Sequence, residues 1–357
     1  MHILIVAPYP PKSAPSQRFR LEHYLPYLEE HGITYDYVPF YSEKVWNIMY
    51  RKGKVLAKVL GVMQGFLKRI LLLFRLRKYD KVFVHREATP LGPPFFEWWA
   101  THVFRKELIF DFDDAIWLPN ASQVNRFSLY LKWNKKVNRI IKWAEVNIAG
   151  NKYLEEHSQK FSSNSILIPT VVDTENHHKG IAIQDIDSPN IGWTGSITTL
   201  EYLSPLVPVI AELEKKYEFT FYVIANVNPN YSLNSVKFIP WNKETEIVDL
   251  LRFQIGVMPL VDNPWTRGKC GFKAIQYMAL GQPALASPVS ANKEIIDHGV
   301  NGFFCSSDED WYQSLEKLLL DKSLRERMGK EARKKIQEKF SVKATLPPFV
   351  HTLQEGV

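Results

Sequence analysis

The chain has 357 residues, enough for about two domains, and its 45% hydrophobic and 23% charged residues are an ordinary globular balance. Its two cysteines, Cys270 and Cys305, lack metal-ligand spacing and argue against a disulfide framework, and no run reaches the ~18 to 20 apolar residues of a membrane span. The net charge of +7 is local: residues 43–78 hold ten Lys/Arg against Glu43 alone, so that stretch carries +9 and the rest of the chain −2.

Residues 3–6 (Ile-Leu-Ile-Val) form a continuous apolar run, the pattern of a buried parallel strand, and begin so early that no secretory leader is expected. A Pro/Ser-rich loop follows, then a predicted helix over 21–31 closed by Gly32. Arg18 and Arg20 lie where a strand-one loop meets ligands in open α/β sheets, with ordinary first-turn helix charges as the plainer alternative. Residues 34–40 read as a second strand. The basic stretch 45–78 interleaves apolar residues at helical spacing with cations, which suits a membrane interface or, equally simply, two sheet-covering helices with a solvated basic face. Nucleic acid is the other natural partner for such charge, but no recognition motif accompanies it, and none is expected to bind.

Residues 81–85 are a strand ending at His85, with Glu87 just beyond, and residues 95–104 an aromatic helix. The next strand, 107–111, ends in Asp111, Asp113 and Asp114. Three carboxylates at one strand end need a cation, a hydroxyl or protons between them. Metal binding, acid/base or hydroxyl-orienting work, and solvated capping acids all remain open at this point. A basic helix is predicted over 128–144, a strand over 146–149, and a polar linker near 174–188. There His177-His178 lacks ligand partners at useful spacing and reads as a solvated loop.

The alternation then restarts. Residues 190–194 are a strand, Gly195 and Ser196 a turn able to approach phosphate closely, and 200–216 a predicted helix. Strands at 219–223, 236–239 and 255–260 lead into a loop bearing Arg267 and Lys269. A helix starting near Lys273 and stopping at Gly281 follows, then a strand at 283–287. Two lysines at a helix mouth after a strand are suited to an anion, though surface lysines are the commoner case. The fold class read from this alternation is α/β, with two doubly wound Rossmann-like domains facing a cleft.

Three stretches carry a resemblance: Ile191-Gly-Trp-Thr-Gly-Ser-Ile-Thr-Thr-Leu-Glu-Tyr-Leu203, Lys269-x3-Lys273-x2-Gln276-Tyr-Met-Ala-Leu-Gly281, and Ala291-Asn-Lys-Glu-Ile-Ile-Asp-His-Gly-Val-Asn-Gly-Phe303. The chain resembles the GT-B-fold glycosyltransferases, close to the family 4 group of retaining nucleotide-sugar enzymes. The resemblance implies a first domain over 1–175 on the acceptor side, a linker over 176–189, a nucleotide-sugar domain over 190–340 and a C-terminal helix over 341–357 that packs back on the first domain. It implies a nucleotide-sugar donor, no required metal or other cofactor, and a glycan acceptor in cell-surface polysaccharide synthesis; the +9 segment suggests a membrane-surface, polyprenyl-linked acceptor and a cytoplasmic protein that meets the inner membrane face through residues 44–78. The family places two glutamates eight residues apart before Met-Ala-x-Gly; Gly268 and Gln276 stand there instead. Gln276 is therefore expected at the ribose, and Gly195, Ser196, Arg267, Lys269 and Lys273 at the donor diphosphate. His85, Asp113 and Asp114 are the expected catalytic residues, and Arg18 and Glu87 the acceptor-side ones. A catalytically silent nucleotide-sugar binding or scaffold protein, favoured by the absent glutamates, and a GT-B-like sugar-nucleotide epimerase are the alternatives.

Overall fold

The computed structural model describes residues 1–49, 53–119 and 133–356. Within them the chain divides into two compact units, Met1–Thr170 with Thr345–Val357, and Val171–Ala344. Each is a six-stranded parallel sheet with helices packed on it, so the chain is α/β with two doubly wound, Rossmann-like sheets.

In the first unit β1 (His2–Ala7), β2 (Thr34–Pro39), β3 (Lys81–His85), β4 (Glu107–Phe112), β5 (Val146–Ala149) and β6 (Ser165–Leu167) lie in the order β2-β1-β3-β4-β5-β6. The order reverses between β1 and β3, which pair Ile3 with Lys81 and Val6 with Val84. Four consecutive residues of β1, Ile3–Val6, are at most 2% exposed, because a parallel sheet covered on both faces buries successive side chains on opposite sides. The sheet edge is tied down by Arg69 of the Val55–Leu73 helix. Its guanidinium donates to the carbonyls of Ala7 (3.0 Å), Val38 (3.1 Å) and Ala88 (2.8 Å). Burial pushes its pKa down to about 9, which still leaves it charged at neutral pH.

The second unit repeats the plan with β7 (Ile191–Gly195), β8 (Phe221–Ala225), β9 (Val236–Pro240), β10 (Ile255–Met258), β11 (Ala284–Ala286) and β12 (Gly302–Phe304), in the order β12-β11-β10-β7-β8-β9. Here the reversal falls between β7 and β10. Trp193, Phe221, Val257 and Leu285 centre its core. Residues 176–189, expected as a linker, are stitched to this unit. Ala182 N–H donates to Leu280 O (2.8 Å), Gln184 Nε2 to Gly281 O (2.9 Å), and Arg325 to the carbonyl of Ile186 (2.7 Å). His178 is buried rather than solvated, with its N–H on Asp173 O (2.7 Å). At the other end, residues from Thr345 onward belong to the first unit, where the Tyr24 ring stacks on Phe349 (4.1 Å).

Two expected helices are broken, each near prolines. Residues 18–31 comprise a π turn (Arg18–Glu22), a short helix (Leu25–Leu28) with Pro26 in its first turn, and a 3-10 turn (Glu29–His31). Residues 197–213 comprise four short pieces, with Pro205 and Pro208 at the starts of the last two. Proline lacks the N–H that would continue the preceding turn. The helix expected over 128–144 is helical over Lys136–Trp143; its first residues, 128–132, lie outside the described residues, as do Arg51 and Lys52.

The Phe272–Ala279 helix ends in a Schellman motif. Gly281 sits at φ +71°, its N–H on Met278 O (3.0 Å), and Gln282 N–H reaches Tyr277 O (3.1 Å). Gly329 of the Lys322–Lys339 helix packs so close to this turn that a Cβ there would lie 2.3 Å from Gly281 O, a backbone atom. Gly329→Ala is therefore expected to destabilise the chain by about 1–3 kcal/mol, read as a lower urea midpoint. An unchanged midpoint would show that the two segments separate at no cost.

Candidate active site

In open parallel sheets, ligands gather beyond the strand ends where the strand order reverses. Each unit presents chemistry there.

In the first unit the loop after β1 brings Ser16 to the end of β3, and β4 brings Asp111, with Asp113 just beyond it. His85 is fully buried. Its Nδ1 meets Asp111 Oδ2 at 2.7 Å and its Nε2 meets Ser16 Oγ at 3.0 Å. With Nδ1–H on the carboxylate, Nε2 faces the hydroxyl. Asp111 also receives Arg20 Nε at 3.1 Å and a second guanidinium bond from the same side chain. Arg20 is thus a buried partner of a carboxylate, not a group presented to a ligand. Arg86, one residue past the strand at φ +60°, aims its Nε at Asp113 Oδ1 (2.7 Å) and its Nη2 at Asp114. The three carboxylates are therefore partnered by two guanidinium groups and an imidazole.

Burial works to raise the Asp113 carboxyl. The Arg86 guanidinium, the His85 ring and hydrogen bonds from Arg86 and Ser16 outweigh it and hold the group well below the usual carboxylate range. A carboxylate so stabilised orients a hydroxyl well and takes its proton poorly. Glu87 is paired with Lys136 (2.8 Å), whose Nζ also donates to Thr89 O. Arg18 is buried, its guanidinium 4.8 Å from the Phe19 ring centroid.

In the second unit Gly195 ends β7. A Cβ there would meet the Trp193 ring at 2.3 Å and Thr199 Oγ1 at 2.6 Å, so only glycine fits this approach. Ser196 N–H donates to Thr199 Oγ1 (3.0 Å), and its hydroxyl meets Thr198 Oγ1 (2.8 Å). Across the reversal point, Gly271 (φ +66°) starts the Phe272–Ala279 helix, and the Lys273 ammonium lies 5.4 Å from the Trp193 ring centroid. Tyr277 of the same helix accepts from Thr194 N–H (2.9 Å), locking helix to strand. Lys269 lies 5.7 Å from the Trp265 ring centroid. Arg267 is an exposed side chain bonded twice to Asp262 (2.6 and 3.1 Å). Gln276 is 2% exposed, and its Nε2 is buried with no hydrogen-bond partner within the protein. Two N–H donors left this way are costly unless something else accepts from them.

The structure thus gathers Gly195, Ser196 and Lys273 at one reversal point, with Lys269 and Gln276 on the adjoining loop and helix, and His85, Asp113 and Asp114 at the other. Sequence reading missed Ser16, Arg86 and the Arg20–Asp111 pair. Among the described residues no group of three His, Cys, Asp or Glu is placed to hold a metal.

Residues 228–335 match the family model for glycosyl transferases group 1, a span that includes Arg267, Lys269, Lys273 and Gln276. Solved structures match nearly the whole chain. Sucrose-phosphate synthase from Thermosynechococcus elongatus is 13% identical over 99% of this chain and 98% of that one, with a TM-score of 0.72. An Anabaena protein in complex with UDP and glucose is 15% identical over 99% of both chains, with a TM-score of 0.65. The catalytic domain of Arabidopsis thaliana starch synthase IV, bound to ADP and acarbose, is 11% identical over 99% and 98%, with a TM-score of 0.67. No curated protein matches the chain in sequence. The chain has the GT-B fold and resembles the group 1 glycosyltransferases.

Proposed function

We propose that this protein is a retaining glycosyltransferase of the family 4 type, which moves a sugar from a nucleoside-diphosphate donor to a glycan or polyprenyl-linked acceptor without a required metal. The observation that carries this reading is Lys273 held over Trp193 at the β7–β10 reversal point, within the span that matches the family model. The solved relatives with UDP or ADP bound give the donor class its support.

As the bond between sugar and diphosphate breaks, negative charge grows on the leaving phosphate. Lys273, Lys269 and the Ser196 hydroxyl, which Gly195 lets the diphosphate approach closely, stabilise that charge more than the ground state. Arg267 joins them by exchanging its Asp262 partner for phosphate. The orphan Gln276 amide donates to the ribose hydroxyls, where a glutamate could only accept. In the first unit, Asp113 and Asp114 orient an acceptor hydroxyl, His85 acts as a positioning residue through Ser16, and Arg18 and Glu87 flank the acceptor.

A thermal-shift panel of nucleoside diphosphates and their sugars tests the donor half, since a ligand bound only by the native state raises its melting point. One nucleoside diphosphate should raise it, and the matching sugar nucleotide should be consumed with release of that diphosphate. No shift with any member would overturn the reading. A shift without turnover would select the catalytically silent alternative, and acceptor-independent conversion of the sugar the epimerase.

A further inference from the structure

The Val55–Leu73 helix turns a row of large apolar side chains outward. Leu56, Leu60, Met63, Leu67, Leu71 and Phe74 recur three or four residues apart and are each 50–76% exposed. Its inner face is small around Gly61 and Gly65 and carries Arg69, Leu72 and Leu73 toward the C-terminal end. A Cβ at Gly61 would lie 2.5 Å from Val45, and one at Gly65 2.6 Å from Phe40, so the helix axis sits tight on the fold. Arg69 fixes it there through three carbonyls. The outward residues therefore contribute little to folding, yet they form one continuous apolar stripe. The flanks are cationic: Lys68 and Arg75 border the stripe, Lys54 and Arg77 lie just beyond the two ends of the helix, and no Asp or Glu occurs from Lys44 to Lys78. On one side Phe66 stacks on Phe95 (6.1 Å), whose neighbours Trp98 and Trp99 are 40% and 42% exposed. On the other, a cavity of about 530 Å³ opens between the helix and edge strand β2. It is lined by Lys68, Arg75, Leu67, Leu71 and Tyr37, with Lys78 held on Asp36 (2.6 Å).

We infer that this face docks on an anionic lipid bilayer, the apolar stripe entering the headgroup–acyl boundary and the cavity beside it receiving a phosphate headgroup on Lys68 and Arg75. An apolar stripe between rows of cations, with tryptophans at its border, matches the layering of a bilayer surface. Charge decides between occupants. A second copy of the chain would bring the same cations against these and be repelled, whereas an anionic leaflet attracts them. No helix among the described residues is long and apolar enough to cross a membrane, so the helix lies on the surface. This inference stands apart from the transfer reading, because docking is read without nucleotide or acceptor.

The test is flotation of the full chain with phosphatidylcholine vesicles, with and without about one third phosphatidylglycerol. Three proteins are compared: wild type, the apolar variant Leu60→Glu/Leu67→Glu and the charge variant Arg75→Gln/Arg77→Gln. Wild type should float with the anionic vesicles and about tenfold less with neutral ones, and added salt should weaken the association. Each variant should lose about tenfold in partitioning with an unchanged circular dichroism spectrum. Absence of flotation, or flotation on neutral vesicles that the variants leave unchanged, overturns the inference. So does concentration-dependent self-association of wild type that the apolar variant abolishes, which would put a second copy on this face.

Discussion

Replacing Lys273 by methionine should lower kcat/KM for the sugar-nucleotide donor by about 10²–10³-fold, the scale set by removing one charge-stabilising donor from an active site. Methionine keeps an unbranched apolar stem over Trp193 and the packing around Tyr277, so the melting point should stay close to wild type. Nucleoside diphosphate affinity should fall less than kcat. The ammonium meets a diphosphate in the ground state already, but the leaving phosphate gains charge only as the bond to the sugar breaks. Lys273→Arg retains the cation but spreads it over a planar fork, so a partial return of rate is expected. Steady-state kinetics with calorimetric affinities separate the two effects. Turnover and affinity that both survive Lys273→Met would remove this lysine, and with it the diphosphate clamp, from the mechanism.

The second unit was the more legible in sequence because its signals are local. Gly281 announces a helix stop, the apolar runs of β7 and β10 announce buried strands, and the lysines fall between them. What the sequence could not show is the support beneath the first unit's site. Arg20 and Asp111 are 91 positions apart, and Arg86 and Asp114 are 28 apart. An arginine in a sequence is by default a surface group, and nothing in its neighbours says that Arg20, Arg69 or Arg325 will be buried. The same long-range closure hid the role of residues 176–189, whose polar composition reads as a linker until Gln184 is seen on Gly281. In sequence the three aspartates read as a group needing a cation, a hydroxyl or protons between them. The countercharge came from elsewhere in the chain, as guanidinium.

Arg86 carries the sharpest stability prediction. Its guanidinium holds Asp113 and Asp114, both part-buried, and its own backbone sits in the left-handed region at φ +60°, a conformation that costs a non-glycine residue about 1–3 kcal/mol. Arg86→Met leaves two adjacent carboxylates without their cation, and breaking a buried pair in this way costs about 3–5 kcal/mol. The pH dependence should then change sign. In wild type the folded pKa of Asp113 is held below its unfolded value, so the unfolded chain binds more protons in that range. The pair's contribution is complete above about pH 4 and is lost as the pH falls through the folded pKa. In Arg86→Met, burial and the neighbouring Asp114 charge raise the Asp113 carboxyl above its unfolded value. The folded chain then binds more protons, and stability recovers as the pH falls from neutral toward 4. Urea unfolding at several pH values separates the two slopes. Adding Asp113→Asn and Asp114→Asn to Arg86→Met should restore much of the loss at neutral pH, because the amides carry no charge to strand. A single variant with the wild-type slope, or a triple variant no better than the single, would mean that Arg86 acts through its backbone and packing and that its charge is incidental.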